Sequence, residues 1–423
     1  MKRLKLIGNL IFILLLFAIL FSYAMFQGGF VSWFLFYGFL PILIYQFGLL
    51  LYPIHSWKVT RRMSPSAVSS GGSITCQIEI ERKFGFPIYY CVVEELMPKT
   101  LNQIDIKQEK YYHMENPKPL MVERSIKKML FPVFKRNITF QYKIGQVPRG
   151  EHTFKAIRIR VGDMVGFVKK EYVYETEDKL IVYPSELPIR LGKKIHSFAQ
   201  GAVASSPLRQ ANTTIATGVR EYEPGDRFSW IDWKQTARKN TVMTKEFEQE
   251  KSTNFIVVLD SCYYPGINRI AYEATIELTV SLLENINRQG YPSNFLSIHG
   301  KGVNGSLQID NGFGSKNRIQ QHLTNLQIEE QEASFATLLE EQMIRMQNGD
   351  RIIILTTNID ELFKQTVIRL KKRIKGITVI LVRAKSHISS TEEEWIQQFR
   401  YTDIGIHVVT EEKLVNGPIE VSL

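Results

Sequence analysis

Three stretches of this sequence carry residue types that chemistry uses. The apolar run FIVVLD ends on Asp260 and continues into Ser261 and Cys262, while RIIILTT ends on Thr356 and Thr357, followed by Asn358. Open α/β sheets bind ligands at the carboxyl ends of their strands, so these residues mark a candidate edge. The third stretch, residues 218–250, reads GVREYEPGDRFSWIDWKQTARKNTVMTKEFEQE and mixes alternating charge with two Trp. Glu221, Asp226 and Asp232 are its candidate acids, but no cysteine or histidine stands near them in sequence to form an activated nucleophile–base pair. Trp, Tyr and Arg are instead the residues that carry most interface energy.

Other chemistries leave no trace. There is no GxxxxGK[ST], GxSxG, HExxH or EF-hand loop, so ATP hydrolysis by a P-loop is not expected of this chain. The eight histidines are scattered without a close pair, and Cys76, Cys91 and Cys262 lack CxxC spacing, so neither zinc nor a redox dithiol is indicated. Cys76 and Cys91 would meet only across neighbouring strands. No cofactor is expected. The 53 Lys and Arg against 42 Asp and Glu leave a formal charge of +11, which suits nucleic acid, anionic lipid or an acidic protein. The basic clusters RSIKK near 124, KKRIK near 371 and GKK near 192 are dispersed and lack interleaved aromatics. Nucleic acid is therefore not expected, and lipid headgroups are the nearer anion.

The elements that must position these residues divide the chain into four. From Leu6 to Trp57 there is no Asp, Glu, Lys or Arg, which predicts a membrane hairpin over 1–57, with spans near 7–26 and 30–52 around Gln27, Gly28 and Gly29. Lys2, Arg3 and Lys5 before it and Lys58, Arg61 and Arg62 after it place both termini in the cytoplasm by the positive-inside rule. Residues 58–185 show short alternating runs such as SITCQIEIER and HTFKAIRIRV, the pattern of an all-β immunoglobulin-like sandwich. Residues 186–250 join a loosely packed Ser/Thr/Ala/Gly connector to the charged stretch. From 251 to 423, buried strands FIVVLD, NFLSI, RIIILTT, ITVILV and GIHVV alternate with helical segments near 268–289, 334–347, 360–373 and 391–399. That predicts a doubly wound parallel α/β sheet, on which Ile276, Val280 and Leu283 form the packing stripe of the first helix.

Within the charged stretch, Pro224, Gly225 and Asp226 predict a turn whose Asp caps a helix beginning near Arg227. Trp230, Trp233 and Ala237 would share one face of that helix, with Asp232, Lys234, Gln235 and Arg238 around the rest. The Trp pair is then either core, anchored by a collar of charges, or a docking surface. TVMTKEFEQE reads as a strand leading into the parallel domain.

The series Arg220, Glu221, Tyr222, then Pro224, Gly225, Asp226, then Ile231, Asp232, Trp233, Lys234, then Ala237, Arg238, then Glu246, Phe247, Glu248 resembles the signature of bacterial proteins carrying domain of unknown function 58. The likeness extends along nearly the whole chain: a membrane hairpin, a β domain ending in a turn similar to Asp-Pro-Phe-Gly (here GDMVGF, a departure), the signature, then a von Willebrand factor A-like domain. It implies a partner, not a reaction. Members are associated with MoxR-type AAA+ ATPases and sometimes with transglutaminase-like membrane proteins, as adaptors or assembly factors. Von Willebrand A domains hold a divalent metal through Asp-x-Ser-x-Ser and a later Thr and Asp. Here Cys262 and Tyr264 take the Ser positions and Thr357 the Asp position, a poor set for a hard cation. Asp260 is expected to bond loop amides or cap a helix.

The expected function is that of a non-enzymatic, membrane-anchored adaptor for a MoxR-type ATPase in envelope assembly or maintenance. Its partner-binding residues are Arg220, Glu221, Tyr222, Asp226, Asp232, Trp233, Lys234, Arg238 and Glu246. The alternatives are a metal-dependent receptor or enzyme at Asp260, and a basic domain binding anionic lipid.

Overall fold

A computed structural model of the chain describes residues 2–192, 214–223, 226, 228–249, 254–299, 306–310, 314–328, 334–343, 350–374 and 376–422. It divides into two compact units, Met1–Ser185 with Gln320–Leu326, and Glu186–Ile319 with Gln327–Leu423.

The first unit opens with helices α1 (Lys2–Gln27) and α2 (Phe30–Leu51). Gly28 reverses the chain between them at φ +60, where any Cβ would be strained. The stretches Gly8–Gln27 and Phe30–Leu51 have mean hydropathies of 2.4 and 1.9 and are long and apolar enough to cross a membrane. Their large side chains, among them Leu14, Leu15, Phe30, Phe34 and Ile44, face outward rather than into the protein.

Eight strands follow: β1 (Lys58–Ser64), β2 (Ala67–Ser69), β3 (Ser73–Glu81), β4 (Tyr90–Glu95), β5 (Ile126–Leu130), β6 (Asn137–Gly145), β7 (Gly150–Gly162) and β8 (Lys169–Tyr183). They form two sheets, β1-β3-β6 and β2-β8-β7-β4-β5, antiparallel except where β2 meets β8. Alternation dictates what faces inward: Ile74, Cys76, Ile78 and Ile80 of β3 are all buried, as the period of two requires. Cys76 and Cys91 lie on β3 and β4, in different sheets, and both are free thiols, so they are not cross-strand neighbours. Burial raises both, to about 11 and about 12.

The end of α2 belongs to this β domain. Leu49, Leu50, Tyr52, Ile54 and Trp57 share one core with Ile78, Ile80, Val93, Ile157 and Ile159. Gly48 permits the approach: a Cβ there would lie 3.0 Å from the Phe86 ring.

In the second unit the strands β9 (Ile189–Leu191), β10 (Thr214–Glu221) and β11 (Met243–Gln249) surround helix α3 (Trp233–Lys239) in sequence. Then come β12 (Phe255–Asp260), α4 (Arg269–Arg288), β13 (Ser293–Ile298), β14 (Ser306–Ile309), α5 (Ser315–Asn325, counted with the first unit from Gln320 on), α6 (Phe335–Met343), β15 (Arg351–Thr356), α7 (Glu361–Lys371), β16 (Gly376–Val382), α8 (Ser390–Tyr401), β17 (Gly405–Val409), α9 (Glu411–Asn416) and β18 (Ile419–Val421). The order β14-β13-β12-β15-β16-β17 places the first strand at the centre, with β14 an antiparallel edge and the rest parallel. Every residue of β12 is buried because helices cover both faces, α4 on one and α6, α7 and α8 on the other. This is a doubly wound sheet.

One expectation is revised. The start of the connector is ordered: β9 pairs in parallel with β18, the Leu187 amide donates to Ser281 Oγ of α4 (2.7 Å), and Leu187 and Ile189 are buried. Residues 193–213 lie outside the described residues. The strand after the charged stretch is present as β11, directly before β12 in the chain, and it pairs antiparallel with β10 as a hairpin.

Candidate functional site

The charged stretch is built on that hairpin. β10 delivers Arg220 and Glu221, and the Tyr222 amide continues the ladder to the Val242 carbonyl (2.8 Å). Asp226 does not cap a helix. Its Oδ2 accepts the Glu223 amide (3.0 Å) and its Oδ1 pairs with Arg220 Nη2 (2.6 Å), and these two donors hold the carboxyl below the usual carboxylate range. Pro224, Gly225 and Arg227 lie outside the described residues. A 3-10 turn, Phe228–Trp230, follows, and the helix begins six residues later than expected, capped by Asp232.

Asp232 caps because the hairpin holds it extended. Ile231 bridges Thr244, and the Asp232 amide donates to the Met243 carbonyl (2.8 Å). Its Oδ1 then accepts the Lys234 and Gln235 amides (3.0 and 3.1 Å), which satisfies two of the helix's free donors. Thr236 Oγ1 accepts the Met243 amide (3.0 Å), tying the helix back to β11. Asn240, left-handed at φ 56, closes the other end by donating its amide to the Thr236 carbonyl.

Trp233 on this braced helix is 69% exposed, which overturns the reading of the Trp pair as a joint core; Trp230 is half-buried. Lys234, Arg238 and Phe228 are exposed as well. Glu246, Phe247 and Glu248 are placed on β11 by the backbone register, opposite Gly218, Ala216 and Ile215.

The second candidate is the sheet edge, and the structure does bring its residues together. Asp260 is 3% exposed; its Oδ2 accepts Tyr264 Oη and Thr356 Oγ1 (2.6 Å each), and its Oδ1 accepts the Cys262 amide (3.0 Å). β12 and β15 are neighbours in the sheet, at the point where the strand order reverses. A crevice of about 320 Å³ opens there, lined by Tyr264, Asn268, Thr357, Asn358, Arg383 and His387. Arg383 Nη1 reaches Asn358 Oδ1 (3.1 Å) and Glu392 Oε1 (2.9 Å), and its Nε donates to the His387 carbonyl (3.1 Å). Burial pushes the Asp260 carboxyl up to about 6. A carboxylate buried this way, with its oxygens taken by a phenol, a hydroxyl and an amide, is a structural brace; these donors fit a hard divalent cation poorly.

A family model described as Protein of unknown function DUF58 matches residues 218–381, from the signature hairpin into β16. The uncharacterized protein YeaD of Bacillus subtilis (strain 168) is 36% identical over 290 residues, which is 69% of this chain and 68% of that protein. The chain belongs to the DUF58 family. Among solved structures, a CARDB domain of Pyrococcus furiosus in complex with di-metal ions is 10% identical with a TM-score of 0.18, covering 31% of this chain and 97% of its own. The minor pilin PilB of Streptococcus sanguinis is 9% identical with a TM-score of 0.28, covering 79% and 87%.

In this DUF58 member, sequence reasoning found the edge residues and the signature but missed what surrounds them. Tyr264 was legible only as a wrong residue in a metal motif, whereas its phenol donates to Asp260. Arg383 stands directly after the apolar run ITVILV, and a charge at a strand end is the kind that must find partners there.

Proposed function

We propose that this DUF58 protein is a membrane-anchored, non-enzymatic adaptor that docks a cytosolic partner through the surface around Trp233. The observation that carries this reading is the exposure of Trp233 on a helix held at both ends. A large aromatic is left in water on a rigid support that also carries exposed Lys234 and Arg238, residue types that interface anchors use. The partner is a MoxR-type AAA+ ATPase, as the family signature implies, and the setting is envelope assembly or maintenance. The chain has no P-loop of its own, so work done by nucleotide hydrolysis comes from that partner. α1 and α2 span the membrane, with the cationic flanks Lys2, Arg3, Lys5, Lys58, Arg61 and Arg62 on the cytoplasmic side. The six-stranded unit is von Willebrand factor A-like; its central first strand and antiparallel edge strand support that assignment.

The test is capture of the ATPase from lysate of the native organism, with nucleotide, by the full chain in detergent and by a W233A/R238A variant whose melting is checked. Recovery by the native chain and loss from a folded variant is the expected result. Equal recovery by both would make the signature an internal brace and sink the docking reading.

A further inference from the structure

The turn Gly162–Phe167, where this chain departs from the family pattern, buries a carboxylate. Asp163 is 2% exposed; its Oδ1 accepts the Val168 amide (2.9 Å) and its Oδ2 the Gln46 side-chain amide (3.3 Å) of α2. Among the described residues no cation pairs with it. Gln46 is 1% exposed, and its Oε1 has no hydrogen-bond partner. Two buried acceptors, one unpartnered and the other a carboxylate without a counter-charge, are costly unless something donates to them.

They sit at one side of a cleft of about 420 Å³, whose other walls are Pro41, Ile42 and Tyr45 of α2 and Ile88, Val133 and Val165 of the β domain. That volume is in the range of small-molecule sites. At 1.5 Å per residue, Gln46 lies about 8 Å and Pro41 about 15 Å from the Leu51 end of α2. The polar pair is therefore nearer the headgroup level, and the apolar wall runs toward the bilayer centre. Phe84, Tyr89, Phe131, Phe134, Met164 and Phe167 are exposed on neighbouring loops, with exposed Lys83, Lys135, Arg136 and Lys169 beside them in sequence. The Phe167 ring meets Phe12 of α1 at 5.4 Å between centroids. Aromatic and cationic residues together are the composition of membrane-interface segments.

We propose that this cleft holds one membrane phospholipid, with an acyl chain along Pro41 and Ile42 and a hydrogen-bond-donating headgroup at Gln46 Oε1 and Asp163. Gln46 Oε1 and Asp163 accept, so the lipid must donate to them, while the buried Tyr45 hydroxyl on the same wall can donate to a headgroup oxygen: an ethanolamine ammonium fits the two acceptors, and a choline headgroup, with no N–H, does not. The proposal rests on α1 and α2 spanning the bilayer, and it makes the β domain a lipid-contacting body rather than a domain on a tether.

The test uses the full chain reconstituted into equimolar phosphatidylethanolamine and phosphatidylcholine, re-extracted in mild detergent and weighed by native mass spectrometry. The native chain is expected to retain phosphatidylethanolamine in preference to phosphatidylcholine. An I42W/V165W variant, which fills the cleft from two partly exposed positions, is expected to lose the bound lipid. Gln46→Leu, which removes the free acceptor, is expected to keep a lipid but lose the preference. A native chain with no retained lipid, or with both lipids equally, overturns the proposal; so does a filled cleft that retains phosphatidylethanolamine as before, or a protein segment found in the cleft instead. Carbonate extraction separates the underlying reading: release of the native chain from membranes would remove the spanning helices, whereas resistance without bound lipid removes only the cleft.

Discussion

Burial raises the Asp260 carboxyl from its ordinary 3.8 to about 6, even though Thr356, Tyr264 and the Cys262 amide all donate to it. The folded protein therefore holds this proton more tightly than the unfolded chain. Between pH 6 and 3.8 the native state binds more proton, so this group's contribution to stability grows as pH falls through that window and is lost as pH rises past 6. Thermal midpoints of the native chain and of Asp260→Asn, measured from pH 7 to 4, should converge or cross in the native chain's favour as pH falls. Parallel curves would place Asp260 in an ordinary, solvated setting. The position of Asp260 at a strand end was legible from FIVVLD, but its donors come from residue 264 and from a strand 96 residues away, which one-dimensional spacing does not order.

At the scale of elements, β1 is locked to the opposite sheet by a buried charge. Arg61 Nη2 meets Glu95 Oε1 of β4 at 2.7 Å with both side chains 0% exposed, and its Nη1 meets Asp178 of β8 at 2.8 Å. Tyr142 Oη of β6 donates to the same Glu95 (2.7 Å), and the guanidinium lies over the Phe154 ring. Such a pair is weak as a net stabiliser but severe to break, because the survivor is left charged and dry. Arg61→Met should cost about 3–5 kcal/mol, read from denaturant or thermal unfolding in detergent, and R61M/E95Q should recover part of it. A loss near zero for the single change would show that Glu95 finds water. The same interplay of elements explains the helix in the signature. The sequence points to Asp226 as the cap, but the hairpin bridge Ile231–Thr244 holds Asp232 in the extended conformation a cap needs.

For the whole molecule, the hairpin of helices is part of the β domain's core. Leu49, Leu50, Tyr52, Ile54 and Trp57 are buried with it, Lys170 Nζ donates to the Tyr52 carbonyl (2.7 Å) and Tyr174 Oη to that of Ile54. A fragment beginning at residue 58 strips these side chains from the core, and lost core aliphatic and aromatic groups cost about 2–5 kcal/mol each. Residues 58–423 should therefore aggregate or melt early beside the full chain in detergent, as sedimentation and thermal scans would show. A stable, monodisperse fragment would mean that α2 packs on a domain already complete without it. By itself the sequence determined the two long apolar helices, the strands of period two, the buried strands alternating with helices and the family signature. Each of these rests on local periodicity or on a contiguous motif. Tertiary structure alone decided that Asp232 is the cap, that Trp233 stays in water, that Asp260 is a braced carboxylate, and that Gln46 and Asp163 share a cleft. Those outcomes depend on which distant residues arrive as donors, acceptors and covering surface, and chain topology sets that beyond the reach of any window of sequence.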